Sequence, residues 1–134
     1  MKKILCIGLG KLGLTFSQTL ATYYPVYGYD VNKKLYYQIK NNSKQIEPNL
    51  NNLIKKNKKN FFLVNNLGHA IDCTNCTFLI LPTPSKKNHD FDNQYILKTL
   101  SQIGFHLKNK SKYHIVITST VNPGSCNYFI QFLC

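Results

Sequence analysis

Gly8-Leu9-Gly10-Lys11-Leu12-Gly13 is a G-x-G-x-x-G, a spacing suited to holding the pyrophosphate of a dinucleotide. A strand must turn sharply into a helix at Gly8, the backbone at Gly10 must stay open to a phosphate, and Gly13 must let helix and strand pack closely. The start of that helix then presents unsatisfied N–H groups and a partial positive charge to the phosphates. Asp30 lies 17 residues after Gly13, at the end of the next apolar segment, where a carboxylate can accept from ribose hydroxyls. An anion there disfavours a ribose phosphate, which points to NAD over NADP, while Lys33 and Lys34 set cations nearby that blur the preference. A solvated turn aspartate is the plainer alternative for Asp30.

Two further segments carry polar groups on stiff loops. Leu81-Pro82-Thr83-Pro84 holds a threonine between two prolines, and Ser119-Thr120-Val121-Asn122-Pro123-Gly124 follows a later apolar run. Both fall where strands end, at the crevice where ligands sit in open parallel sheets. Taken singly, each is equally well read as turn chemistry.

For these residues to meet, the chain must alternate strand and helix. Ile4–Ile7, Val26–Tyr29, Phe61–Val64, Thr77–Leu81 and His114–Thr118 read as five short strands, the first uniformly apolar as in a strand buried on both faces. Leu12–Tyr24 reads as a helix with Leu12, Phe16, Leu20 and Tyr23 on its buried stripe, closed by Pro25. Asn32 can cap a helix through Leu35, Tyr36 and Ile39 that ends near Asn41-Asn42, and Pro48 can open another through Leu50, Leu53 and Ile54. Lys55–Asn60 reads as a solvated connection, and a short helix is expected around Gly68–Asp72. Asp92 can cap a helix with Ile96, Leu100, Ile103 and Leu107 in line, and Ser125–Cys134 reads as a final amphipathic helix. Right-handed crossovers then give an α/β fold, a doubly wound Rossmann-type parallel sheet in three α/β/α layers, with strand order 3-2-1-4-5.

Composition narrows the functional classes. The 134 residues carry a net charge of +12, yet all 17 basic side chains are lysine, accompanied by 16 asparagines. Phosphate grips usually employ arginine, so this excess reads as codon habit, and no nucleic-acid partner is expected. No apolar run approaches the ~20 residues of a membrane span. The four apolar residues before Gly8 are too few for a signal core, so no membrane association and a cytoplasmic location are expected. Five cysteines, an odd count, argue against a disulfide framework. Cys73 and Cys76 form a lone C-x-x-C without a second ligand pair; His69 and His89 nearby do not supply one, and no metal is expected.

In combination the segments resemble the N-terminal NAD-binding domain of the UDP-glucose/GDP-mannose dehydrogenase family. The resemblance rests on Gly8-Leu9-Gly10-Lys11-Leu12-Gly13-Leu14, Gly28-Tyr29-Asp30-Val31-Asn32, Glu47-Pro48-Asn49-Leu50, Leu81-Pro82-Thr83-Pro84, Asp90-Phe91-Asp92 and Ser119-Thr120-Val121-Asn122-Pro123-Gly124. These run in order along the whole chain, and four of its five acidic residues fall on them. The resemblance implies oxidation of the C6 hydroxyl of a nucleotide sugar to a carboxylate, with NAD as cofactor. It implies that Gly8, Gly10 and Gly13, with Leu9, Lys11 and Leu12 between them, hold the pyrophosphate and that Asp30 holds the adenosine ribose. Thr83 and Thr120 would line the nicotinamide side, Thr120 helping to position water or substrate beside the reacting carbon.

Departures accompany the likeness. Lys11 stands where the family often has an aromatic residue, and Leu35 where it often has a basic one. None of Cys6, Cys73, Cys76, Cys126 or Cys134 matches the family's nucleophilic cysteine, which would capture the aldehyde intermediate. Residues 1–134 are therefore expected to form an NAD-binding domain without the central helix and substrate domain, incomplete alone, and either a truncated gene product or a piece completed by a separate chain supplying the latter. A non-catalytic nucleotide-binding module or remnant is the alternative from another class. A hydroxyacid or 6-phosphogluconate-type dehydrogenase domain is the alternative among enzymes, disfavoured by the paired P-T-P and S-T-V-x-P-G segments.

Overall fold

The computed structural model describes residues 2–42, 48–88, 90–108 and 110–133. Glu47, His89 and Cys134, all singled out above, lie outside the described residues. Five parallel strands, β1 (Ile4–Ile7), β2 (Val26–Tyr29), β3 (Phe61–Val64), β4 (Cys76–Leu79) and β5 (His114–Ile117), form one sheet in the order β3-β2-β1-β4-β5. The expected order is the observed one. β1 lies at its centre, with Cys6 paired to Gly28 on one side and to Phe78 on the other, and all four of its side chains are buried.

Alternation along β1 sends its side chains into two cores. Leu5 and Ile7 join Leu79 against α4 (Leu67–Cys73), α5 (Gln94–Leu107) and Phe129. Ile4 and Cys6 face α1 (Lys11–Ala21), whose Leu14 also meets Ile39 of α2 (Lys33–Lys40) and Leu50 of α3 (Pro48–Lys56). Each fully buried Leu or Ile contributes roughly 1.5–3 kcal/mol, so the sheet is held from both faces. Among the described residues, no helix is long and apolar enough to cross a membrane.

Helix ends follow the local chemistry. Asn32 caps α2 by accepting from Leu35 N–H at 3.3 Å, and Pro48 opens α3, both as the spacing predicts. Asp92 serves the start of α5 from one residue outside the cap, its Oδ1 accepting from Gln94 N–H at 3.0 Å.

Several expectations give way to tertiary contacts. α1 ends at Ala21, and both Tyr23 and Tyr24 donate back to the Leu20 carbonyl in a closing turn. Its buried face is Gly13, Leu14, Ser17, Gln18 and Ala21, whereas Leu12 and Tyr23 are 71% and 75% exposed. The rotation is set by Gly13 seated on the Gly8 carbonyl, a contact that outranks the apolar stripe. β4 stops at Leu79 rather than Leu81, because the Leu81 N–H leaves the ladder for the Ser119 hydroxyl at 2.9 Å. β5 likewise ends at Ile117 rather than Thr118. The final helix is only α6 (Ser125–Phe129) followed by a 3-10 turn over Ile130–Phe132, whose Phe132 carbonyl comes up against Gly104 of α5.

The Lys55–Asn60 tract is not merely solvated. Asn57 is 4% exposed, and its Nδ2 donates to the Gln18 carbonyl at 2.7 Å, while Asn60 Nδ2 donates to the Ala21 carbonyl at 3.1 Å. Two asparagines thus satisfy carbonyls in the last turn of α1, which has no basic residue of its own there. Asn57→Ala is expected to destabilise the protein by about 1–2 kcal/mol, since the buried Gln18 carbonyl loses its 2.7 Å partner and is left with the longer bond from the Thr22 hydroxyl at 3.4 Å. Urea unfolding measures it, and an unchanged midpoint would refute this role for Asn57.

Candidate nucleotide-binding crevice

In a sheet of this order, the connections leaving β1 and β4 depart to opposite faces and open a crevice between the carboxyl ends of these neighbouring strands. The backbone is tightly drawn there. Gly8 N–H donates to the Tyr29 carbonyl at 3.0 Å and Ile80 N–H to the Ile7 carbonyl at 2.8 Å. Gly8 has a φ of +95°, and a Cβ on it would lie 2.2 Å from the Ile80 carbonyl oxygen. A Cβ on Gly13 would lie 1.8 Å from the Gly8 carbonyl oxygen. The first glycine makes the turn, and the third brings the helix down onto it.

Gly10 differs. It is the N-cap of α1 in extended conformation, and a Cβ built on it meets nothing within 4 Å. The first intrahelical bond runs from Leu14 N–H to the Gly10 carbonyl at 2.9 Å. The N–H groups of Lys11, Leu12 and Gly13 precede that bond at the positive end of the helix, and its first turn holds no acid and no side-chain cap. The open space at Gly10 therefore adjoins an anion-attracting helix start.

Asp30 leaves the end of β2 and turns toward the glycine loop. Its Oδ2 accepts from Leu9 N–H at 2.7 Å and its Oδ1 from Asn32 N–H at 2.8 Å. Both are charge-assisted bonds that fix the carboxylate while leaving each oxygen a further lone pair. The side chain of Leu9 is fully buried, so this residue acts through its backbone, tying the loop to Asp30. Beside them lies a cavity of about 270 Å³ lined by Tyr29, Asp30, Val31, Lys33, Tyr36, Tyr37 and Asn65. It offers aromatic surface beside a carboxylate, the chemistry suited to a nucleoside. Burial, helped by the charge of Asp30, pushes the Tyr29 hydroxyl pKa upward, so that the phenol stays neutral beside the carboxylate.

Tyr36, Tyr37 and Asn65 line this cavity although no motif in the sequence marks them. Asn65 follows β3 and reaches this wall only through β2–β3 pairing, so no local signal marks it.

Thr83 is half-buried in the loop after β4, and Thr120 is exposed after β5. β4 and β5 are neighbours, so both threonines stand at the same end of the sheet as the glycine loop. The cysteines are elsewhere. Cys6 is buried within β1, and burial, with the nearby Cys76, pushes its thiol up to about 12. Cys76 opens β4 at the opposite end of the sheet, its thiol also raised by burial. Cys73 closes α4, with Sγ 3.7 Å from His69 Nε2, and Cys126 is exposed on α6.

Comparison with known proteins agrees with this geometry. A model of the NAD-binding domain of the UDP-glucose/GDP-mannose dehydrogenase family matches residues 2–134. The GDP-mannose 6-dehydrogenase of Pseudomonas aeruginosa is 33% identical over 130 residues, covering 93% of this chain and 30% of that protein. A UDP-N-acetyl-D-mannosamine dehydrogenase of Methanococcus maripaludis is 35% identical over 131 residues, covering 92% and 29%. In three dimensions, the ternary complex of GDP-mannose dehydrogenase from Pseudomonas aeruginosa superposes with a TM-score of 0.87 at 30% identity, over 97% of this chain and 31% of that one. The chain thus spans about 30% of the length of the curated relatives it matches.

Proposed function

The chain belongs to the UDP-glucose/GDP-mannose dehydrogenase family as an NAD-binding domain, and from that premise we propose that it is the cofactor half of an enzyme oxidising the C6 hydroxyl of a nucleotide sugar to a carboxylate. NAD is its cofactor. The residues present fit that group: space is open at Gly10, the helix start beside it attracts anions, and Asp30 keeps acceptor capacity toward hydroxyls. When bound, NAD supplies the hydride acceptor.

Within this reading, the first-turn N–H groups of Lys11, Leu12 and Gly13 hold the pyrophosphate. Asp30 accepts from the adenosine ribose, and the neighbouring cavity, walled by Tyr36 and Tyr37, takes the adenine ring. Thr83 and Thr120 border the nicotinamide end, and Thr120 orients water or substrate toward the reacting carbon. The thiol that captures the aldehyde, and the groups that choose among sugars, are supplied from outside these 134 residues. Cys6 is unsuited to the task, since a thiol held near 12 remains protonated at neutral pH.

The observation that carries the reading is the 2.7 Å bond from Leu9 N–H to Asp30 Oδ2, which locks a ribose-binding carboxylate beside the phosphate loop. Isothermal titration with NAD and NADP tests it. One-site binding of NAD is expected, with NADP at least about tenfold weaker because its ribose phosphate would face Asp30. A folded sample that bound neither dinucleotide would sink the proposal.

A further inference from the structure

The loops after β4 and β5 are joined side by side, and the joints involve residues that neither the glycine loop nor Asp30 explains. Ser119 accepts from Leu81 N–H at 2.9 Å and donates to the Leu81 carbonyl at 2.8 Å, pinning the first residue of the Leu81-Pro82-Thr83-Pro84 segment. Beyond Pro84 the chain folds back on itself. Ser85 pairs with Phe91 in an antiparallel bridge, Lys86 N–H donates to the Asp90 carbonyl at 2.7 Å, and Asp92 N–H donates to the Pro84 carbonyl at 2.8 Å. The tip of this fold returns to the β5 side, where Asn122 Nδ2 donates to Asp90 Oδ1 at 3.1 Å. Asn88 holds the same carboxylate from its other oxygen, its Nδ2 donating to Asp90 Oδ2 at 2.6 Å.

Thr83 lies between the two joints on one loop, after Ser119's grip on Leu81 and before Asp90. Thr120 lies between them on the other, after Ser119 and before Asn122. Two fixed points on each of two stiff segments determine the distance between the threonines. Prolines at 82 and 84 remove much of the remaining backbone freedom around Thr83, and Pro123 restricts Asn122 at the second joint.

From this geometry we infer that Ser119 and the Asn122–Asp90 pair are positioning residues, which set the opening between Thr83 and Thr120 and so the fit of the nicotinamide ring of the cofactor. The inference rests on the reading above, in which those threonines border the nicotinamide end. The adenosine half, held by Asp30 and the glycine loop, does not depend on either joint. A group that acts through the loops should therefore alter binding of the whole dinucleotide and spare binding of a ligand that lacks only the nicotinamide ring.

The test is calorimetric titration of the 134-residue chain with NAD and with ADP-ribose, which lacks the nicotinamide ring. Asn122→Asp sets two carboxylates against each other at the second joint, and Ser119→Ala removes both hydrogen bonds of the first. Each is expected to weaken NAD binding about 5- to 10-fold, the worth of a lost hydrogen bond, with ADP-ribose affinity unchanged. The exchange Asp90→Asn with Asn122→Asp lets the residue at 90 donate to the carboxylate at 122, and still accept from Asn88. It is expected to restore NAD affinity to within about twofold. Asn122 and Asp90 meet in an exposed pair, so their variants decide the matter even where Ser119→Ala fails to fold. Unchanged NAD affinity, parallel loss of NAD and ADP-ribose, or no recovery in the exchange would each overturn the positioning role while leaving the proposed function standing. Wild-type protein that is folded and binds neither ligand overturns both.

Discussion

Gly13→Ala is expected to destabilise the folded domain severely, whereas Gly10→Ala should fold normally and fail to bind NAD. A methyl group on Gly13 would stand 1.8 Å from the Gly8 carbonyl oxygen, itself part of the backbone turn out of β1. Neither partner can rotate away, so α1 would have to lift from the sheet and withdraw Leu14 and Ala21 from their cores. A loss of roughly 3–5 kcal/mol follows, a large share of the ~5–15 kcal/mol available to a domain of this size. Gly8→Ala meets the same difficulty with a second one added, since its φ of +95° is unfavourable for any side chain. Gly10 has an ordinary φ of −61° and no neighbour within 4 Å of a built Cβ. Alanine there should leave the melting temperature within a degree or two, while its methyl group occupies the ground a phosphate must approach. Thermal melts and NAD titrations of the three variants separate the roles. A stable, folded Gly13→Ala domain, or a Gly10→Ala domain with full NAD affinity, would contradict the assignment.

Removing the Asp30 carboxylate should weaken NAD binding about 10- to 100-fold and at the same time bring NADP level with NAD. Each hydrogen bond to a charged acceptor is worth about 1.5–3 kcal/mol, and ribose hydroxyls would lose theirs in Asp30→Ala. The loop suffers as well, because Leu9 and Asn32 N–H groups lose their acceptor at 2.7 and 2.8 Å. A drop in stability of about 1.5–3 kcal/mol is expected, because the exposed Asn32 N–H can turn to water while the part-buried Leu9 N–H is left without its acceptor. Lys33 lines the same cavity, so deleting the anion leaves a net positive wall facing a ribose phosphate. Asp30→Asn keeps one acceptor oxygen and should fall between wild type and alanine on every measure. NAD affinity in Asp30→Ala equal to that of wild type would remove this residue from the site.

Much of this fold is written locally. Apolar runs of four residues, glycines at the bend, and Asn32 and Pro48 at helix starts are properties of short segments, so the five strands and the helices between them can be read in order. Right-handed crossovers then leave few ways to stack those strands, and the 3-2-1-4-5 order follows. The G-x-G-x-x-G is legible for the same reason, since turn, open backbone and close packing are all demanded within six residues.

What local patterns did not convey depends on contacts between distant segments. The apolar stripe of α1 suggested that Leu12 and Tyr23 face inward, but a backbone-to-backbone contact at Gly13 rotates the helix and leaves both exposed. Asn57 looks like one more polar residue in a Lys/Asn tract, until α3 brings it to the Gln18 carbonyl at the end of α1. Asn65 joins the Asp30 cavity only because β3 lies beside β2, and Asn122 meets Asp90 only because two loops leave adjacent strands. Residue type and spacing were therefore sufficient for the sheet, the glycine turn and the carboxylate at its side. The walls around that carboxylate, and the joints between the far loops, came from packing, because a hydrogen bond across 32 residues leaves no period or motif in the chain that makes it.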